Sequence, residues 1–356
     1  MKKHNYSAGP CILPQEVFEK SAQAILDFNN SGLSILEISH RSKDFVAVME
    51  EARALVLELL GLEGKGYQAL FLAGGASLEF LMVPYNLMRV NGKAAYLDTG
   101  TWASGAIKEA KHFGETVVVA SSKPENYNHI PKEYTISADA DYFHCTSNNT
   151  IFGTQMKSFP ITNVPLVCDM SSDIFSRVLD FSQFDLIYAG AQKNMGPAGT
   201  TLIVVKEELL GKTGRTIPSM LDYQQHIAKE SMYNTPPVFP IYASLLTLQW
   251  LKKSGGIAAI EKINEAKATL LYNEIDRNPL FKGTAAKEDR SNMNATFLLE
   301  NEAHQETFDA MWKAAGISGL AGHRSVGGYR ASMYNALPLE SVQVLVDVMQ
   351  ELENNI

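Results

Sequence analysis

FDLIYAGAQKNMGPAGTTLIVV, residues 184–205, decides how this chain folds. Two apolar runs, FDLIYAG and TTLIVV, carry little polar alternation, as strands buried on both faces do. Between them lies a glycine-rich turn holding one lysine, Lys193. An amine at the end of a buried strand can form a Schiff base where its surroundings supply the unprotonated form. The plainer alternative is a solvated lysine or an anion contact.

Outward from that turn the pattern repeats. YQALFLA, AAYLD and TVVVA read as strands, and SLEFLMVPYNLMRV and ASGAIKEAKHF between them as helices. DYFHCT and VPLVCD add two more buried strands. Upstream, a helix is expected from about Gln15 to Asn29. A second follows Ser42, with Phe45, Val48, Ala52, Leu55 and Leu59 at helical spacing before Gly61. The connector GLSILEISHRSK then exposes His40 and Arg41.

This is the rhythm of an α/β sheet with crossover helices. Past LKKSGG, a helical pattern over residues 257–276, TFLLE, a helix near Phe308 to Ala315, YRASMYN and a last helix suggest a smaller α+β unit. We expect a large domain over 15–255 and a small one over 256–356, joined by the N-terminal segment 1–14.

Composition excludes several functions. Net charge is −8 and the cations form no stripe, which argues against nucleic-acid binding. The 3 cysteines, Cys11, Cys145 and Cys168, match neither a disulfide framework nor a CxxC metal site, and read as reduced thiols in cytoplasm. The eight histidines show no HExxH, so no metal is expected, and no GxSxG elbow occurs. The N-terminus has no apolar core of an export signal, and no run of apolar residues suits a membrane span.

Three further features give Lys193 its company. Asp169 ends the strand PLVCD, where a buried carboxylate needs a partner such as a protonated ring nitrogen; the alternative is a cap for SSDIF. The turn AGGAS, residues 73–77, joins a strand to a helix, where free N–H groups favour a phosphate, although many such turns hold glycine for geometry alone. Trp102 opens a helix after AAYLD, at the edge where open α/β sheets bind ligands, and could stack on a flat ring or simply be core. Together these residues meet the demands of pyridoxal 5'-phosphate. Two cationic segments, His40–Arg41 and GHRSVGGYR, suit an anionic substrate, unless they are surface arginines at loop ends.

The segments SAGP, HRSKDF, AGAQKNMGPAG, NTPPVF and GHRSVGGYRASMYNALP stand in order along nearly the whole chain, and in them it resembles the phosphoserine aminotransferases. That family belongs to class V of the fold-type I, pyridoxal-phosphate-dependent transferases. The resemblance implies a mostly parallel, seven-stranded mixed sheet between helices. It makes Lys193 the Schiff-base lysine and proton shuttle, and Asp169 the partner of the ring nitrogen. Ala76 and Ser77 would hold the phosphate, Trp102 the ring face, and Thr150 and Gln192 further polar contacts. Asn234 and Thr235 resemble the pair that reaches the phosphate from a neighbouring subunit, which implies a homodimer with shared sites. His40, Arg41, His323, Arg324 and Arg330 resemble the anion-binding set, with Arg330 facing the substrate α-carboxylate.

The implied reaction is reversible transfer of an amino group from L-glutamate to 3-phosphohydroxypyruvate, giving O-phospho-L-serine and 2-oxoglutarate in serine biosynthesis. Some members also act on a phosphorylated four-carbon oxo acid of pyridoxine biosynthesis. Two alternatives stand beside this reading: another class V aminotransferase, such as the alanine–glyoxylate type, or a non-catalytic phosphate-ligand binding protein on the same fold. One departure is visible, because AGGASLEF lacks the third glycine and the arginine that some members carry at the phosphate turn.

Overall fold

The apolar runs resolve into a chain-long alternation of strands and helices in the computed structural model, which describes residues 3–356. Met1 and Lys2, part of the expected segment 1–14, lie outside the described residues. The chain opens with a short strand β1 (His4–Asn5), then α1 (Gln15–Leu26) and α2 (Lys43–Leu60). The Ser42 side chain caps α2 by accepting the Phe45 N–H, and Gly61 ends it in the left-handed region at φ 65°. α1 stops short of the expected Asn29, because Asp27 is extended and Asn29 and Asn30 turn the chain at φ 54° and 56°.

Next come β2 (Tyr67–Leu72), α3 (Gly75–Leu87), β3 (Lys93–Asp98), α4 (Thr101–Ala110) and β4 (Glu115–Ser121). They are followed by β5 (Phe143–Thr146), the hairpin β6 (Asn148–Asn149) with β7 (Thr154–Gln155), β8 (Leu166–Asp169) and β9 (Leu186–Gly190). After β9 stand α5 (Ala191–Asn194), β10 (Thr201–Lys206), α6 (Tyr223–Ala228), α7 (Val238–Lys253) and α8 (Gly256–Arg277). The chain closes with β11 (Phe281–Gly283), β12 (Asn294–Leu299), α9 (Gln305–Ala314), β13 (Ile317–Ser318), β14 (Tyr329–Ser332) and α10 (Leu339–Asn354).

Seven of these strands pair in the order β2-β10-β9-β8-β5-β3-β4. All pairings are parallel except the two made by β10, so the expected mixed, mostly parallel sheet is found. β10 shows why its sequence lacks polar alternation: Leu202 and Val204 enter one core and Ile203 and Val205 the core on the other face. The reversal from β9 to β10 puts the lysine segment at the carboxyl ends of the parallel strands, where ligands bind in such sheets.

TFLLE and YRASMYN become β12 and β14, the centre and one edge of an antiparallel sheet completed by β11. Its core gathers Phe281, Phe297, Phe308, Tyr329 and Leu345, and also takes in Tyr6 and Ile12 from the N-terminal segment. That segment is tied down by the parallel pairing of β1 with β13 and by the Tyr6 hydroxyl, which donates to Ser341 O at 2.6 Å.

Candidate active site

Lys193 stands in α5, a single helical turn where the sequence suggests only a glycine-rich turn. Two main-chain bonds of the turn, Met195 N–H and Gly196 N–H to Ala191 O, close it, so the amine projects from a fixed base. The Cys11 N–H donates to Gln192 O at 3.1 Å and its thiol donates to Lys193 O at 2.5 Å, which lays the N-terminal segment against the lysine. Lys193 Nζ donates to Thr150 Oγ1 at 3.0 Å and lies 5.3 Å from the centre of the Trp102 ring. Burial pushes the amine below its usual range, and the Asp169 carboxylate opposes that shift. A lysine so placed reaches the neutral, nucleophilic form more readily than a solvated one.

Asp169 ends β8, its Oδ1 accepting the Ser171 N–H at 2.9 Å. That bond serves the turn after the strand, as a capping role requires, and it engages only Oδ1. Burial raises its pKa, with Lys193 acting against the rise.

The AGGAS turn forms the start of α3. Gly74 takes φ 111° and offers no side-chain cap, which leaves the first N–H groups of a long helix without partners. Such an end attracts an anion. Trp102 sits in the first turn of α4, which Asp98 holds to the sheet by accepting the Ser104 and Ser121 hydroxyls at 2.7 and 2.8 Å. Thr150 sits at the tip of the β6–β7 hairpin, whose Asn148 is gripped by donation to Ser172 Oγ and Asn294 Oδ1.

These elements enclose a cavity of about 320 Å³ lined by Gly75, Ala76, Ser77, Trp102, Thr150, Asp169, Gln192, Lys193, His323 and Arg330, among others. The buried Trp102 Nε1 and Arg330 Nε have no hydrogen-bond partner. Uncapped N–H groups at one end, a buried carboxylate below and an amine at the side fit the phosphate, ring nitrogen and aldehyde of pyridoxal phosphate. Orphaned Arg330 beside His323 adds a place for a carboxylate or phosphate. His323 loses basicity to burial and to the charges of Arg330 and Arg324.

Other expected site residues stand elsewhere in one chain. Arg324 is exposed and outside the cavity lining. Arg41 is exposed and His40 half-buried, the Arg41 Nε donating to His40 Nε2 at 3.4 Å. Asn234 and Thr235 are exposed, and Asn234 lines a separate small pocket behind the phosphate turn, with Ala73 and Leu78. Conversely, Ala8, Gly9, Ile151 and Ser171 line the cavity without having been singled out. Ser171 carries a readable signal, two residues after a strand-end aspartate. Ala8 and Gly9 lie within SAGP, whose position over the lysine no local pattern announces.

Fold and site together define an aminotransferase of class V, and the family model for aminotransferase class-V matches residues 4–345. The chain is an enzyme of the transferase type. A phosphoserine aminotransferase of Flavobacterium psychrophilum is 87% identical over 356 residues, 100% of both chains. Among solved structures, the phosphoserine aminotransferase of Bacillus circulans subsp. alkalophilus superposes with a TM-score of 0.96 at 44% identity, covering 99% of each chain. The pyridoxal-phosphate-bound phosphoserine aminotransferase of Trichomonas vaginalis does so with 0.93 at 35% identity, covering 98% of this chain and 100% of that one. The chain belongs to the phosphoserine aminotransferase family. Among the described residues no helix is long and apolar enough to cross a membrane, and no cluster of side chains could hold a metal ion.

Proposed function

We propose that this chain moves an amino group reversibly between L-glutamate and 3-phosphohydroxypyruvate, producing 2-oxoglutarate and O-phospho-L-serine for serine synthesis, with pyridoxal phosphate held in the cavity beside Lys193. The observation that carries this reading is the cavity itself, which gathers Lys193, Asp169, the uncapped start of α3, Trp102 and the unpartnered Arg330. When bound, the cofactor supplies an electrophilic carbon and a ring that spreads negative charge from the substrate's Cα.

The protein's part is binding, orientation and proton movement. The α3 N–H groups of Ala76 and Ser77, with the Ser77 hydroxyl, hold the phosphate. Asp169 keeps a proton on the ring nitrogen, and Trp102 fixes the ring plane. Thr150 and Gln192 supply polar contacts. Lys193 Nζ would take the proton from substrate Cα and deliver it to the former aldehyde carbon of the bound cofactor, the reverse half-reaction running the same transfer backwards. Arg330 grips the α-carboxylate with a two-pronged guanidinium that stays charged. His323 and Arg324, with His40 and Arg41, take the distal phosphate or γ-carboxylate.

A homodimer follows from the same reading. Asn234 and Thr235 are exposed in one chain and fit contacts to a neighbouring subunit's phosphate, so each site is completed across a two-fold interface. We divide each chain into a large domain, 15–255, and a small one, 256–356 with segment 1–14. The free thiols suit a cytoplasmic enzyme.

The test is substrate choice. Phosphoserine with 2-oxoglutarate is expected to yield glutamate, and alanine with glyoxylate little product. The reverse preference would overturn the substrate assignment. Protein that stays colourless and unlabelled after incubation with pyridoxal phosphate and borohydride would overturn the cofactor.

A further inference from the structure

Lys267, on α8, is 0% exposed, yet its charge is met by no side chain. The ammonium donates to three main-chain carbonyls of one turn: Met333 O at 2.9 Å, Tyr334 O at 2.8 Å and Leu337 O at 3.1 Å. Burying an amine in this way is costly, and burial pushes its pKa down to about 7. The geometry spends three donors on holding a short irregular segment, 333–337, in one shape.

That segment follows directly on β14, the strand that carries Arg330. It also touches the lysine helix. The Asn335 N–H donates to Asn194 Oδ1 at 2.9 Å, and Asn194 is the residue after Lys193. Asn194 is anchored on its other side by donation from Nδ2 to Ile174 O at 2.6 Å. Asn335 is itself held, accepting from Asn264 Nδ2 at 2.8 Å and donating to Phe175 O at 3.0 Å. One turn thus connects the base of the amine with the strand of the guanidinium.

We propose that Lys267 and Asn194 are positioning residues: Lys267 sets the 333–337 turn, and through Asn335 and Asn194 the turn holds the Lys193 amine in register with Arg330. This rests on the roles given above to Lys193 and Arg330. A loop held only by its ends would let the two drift, and reacting groups tolerate only small displacements. The residues that fit the cofactor, Asp169, Ser77 and Thr150, stand on β8, α3 and the hairpin, and none bonds to this turn.

The experiment uses the holoenzyme with Asn194→Ala, Lys267→Met and both together. Each single variant is expected to lower kcat/KM for glutamate about tenfold, as a slight misplacement of reacting groups does. The dissociation constant for pyridoxal phosphate, read by fluorescence titration, should change much less than kcat/KM, because Asp169, Ser77 and Thr150 stand on elements that do not bond to the turn. The double variant should lose no more than the worse single one, because both changes cut the same link. Lys267→Gln, which keeps donors for part of the turn, should recover part of the loss.

Losses that multiply in the double variant would overturn the link, as would cofactor affinity falling in step with activity. If Lys267→Met does not fold, Asn194→Ala decides alone: unchanged kcat/KM overturns the proposal, and a loss with unchanged melting and a much smaller change in cofactor affinity sustains it. Borohydride labelling of Lys193 in the parent enzyme is the control on the underlying reading. A labelled parent with unaffected variants rejects the link and leaves the role of Lys193 standing, whereas an unlabelled parent rejects both.

Discussion

Lys193 Nζ donates to Thr150 Oγ1 at 3.0 Å, joining the helix after β9 to the tip of a hairpin 43 residues earlier in the chain. The hydroxyl is the amine's hydrogen-bond partner in the cavity, so it aims Nζ while burial lowers its basicity. Thr150→Val keeps the shape and removes the acceptor. One lost hydrogen bond of about 1 kcal/mol corresponds to a roughly fivefold fall in kcat. Steady-state rates with phosphoserine check it, and an unchanged kcat would mean that packing alone aims the amine.

Lys193→Ala should remove the base and the covalent attachment point together. A positioned proton carrier contributes about a hundredfold or more, so kcat is expected to fall by at least that factor. Borohydride labelling should vanish as well. In the parent enzyme the depressed amine pKa has a sign that can be tested: neutral Nζ becomes available on raising the pH earlier than for an ordinary lysine. The rise of the rate of proton removal with pH should therefore come below pH 10.5, the ordinary lysine value.

Arg330 Nε is buried without a partner, beside His323 on the cavity wall. Arg330→Lys keeps the charge and loses the fork that matches a carboxylate. KM for glutamate and for 2-oxoglutarate should rise about tenfold or more, with a smaller change in kcat. A change confined to kcat would move the carboxylate site away from Arg330.

Most of the sheet was legible because its strands are apolar on both faces. Ile203 and Leu202 point to opposite cores, and only a central strand tolerates that. Asp169 and Lys193 were legible as polar groups at the ends of such strands. The hairpin that brings Thr150 to the amine was not, because two-residue strands have no period to read. Nor was the path of Ala8 and Gly9 over the lysine, which depends on β1 pairing with a strand more than three hundred residues away. Asn234 and Thr235 were found through resemblance and His40 and Arg41 as a cationic pair in an exposed connector, and one chain alone does not bring any of them to the cavity.

Gly74 has φ 111°, and a Cβ there would lie 2.7 Å from Leu78 Cβ. Gly74→Ala must therefore distort the first turn of α3, where the uncapped N–H groups point to the cavity. The expected result is weaker binding of pyridoxal phosphate by about tenfold, equal to about 1.4 kcal/mol, with rates recovering at high cofactor concentration. Equilibrium titration measures it, and unchanged affinity would place the phosphate elsewhere.

Glu79, one turn further along α3, is 0% exposed and is met by the Tyr223 hydroxyl, which donates to Oε2, while Oε1 has no partner. Burial raises its pKa from an ordinary 4.5 to about 8, against the opposing effect of the tyrosine bond. A carboxyl shifted upward binds its proton more tightly folded than unfolded. Its contribution to stability is therefore complete below pH 4.5 and is lost as pH rises through about 8. Glu79→Gln cannot ionise. Its melting temperature relative to the parent should climb from about pH 4.5 to about pH 8, by several degrees in all, and level off above that. Lys267, whose amine is depressed to about 7, has the opposite slope in part of this range, but it is common to both proteins and cancels in the difference. Parallel melting curves across that range would show that the Glu79 carboxyl is already ionised in the folded enzyme at neutral pH.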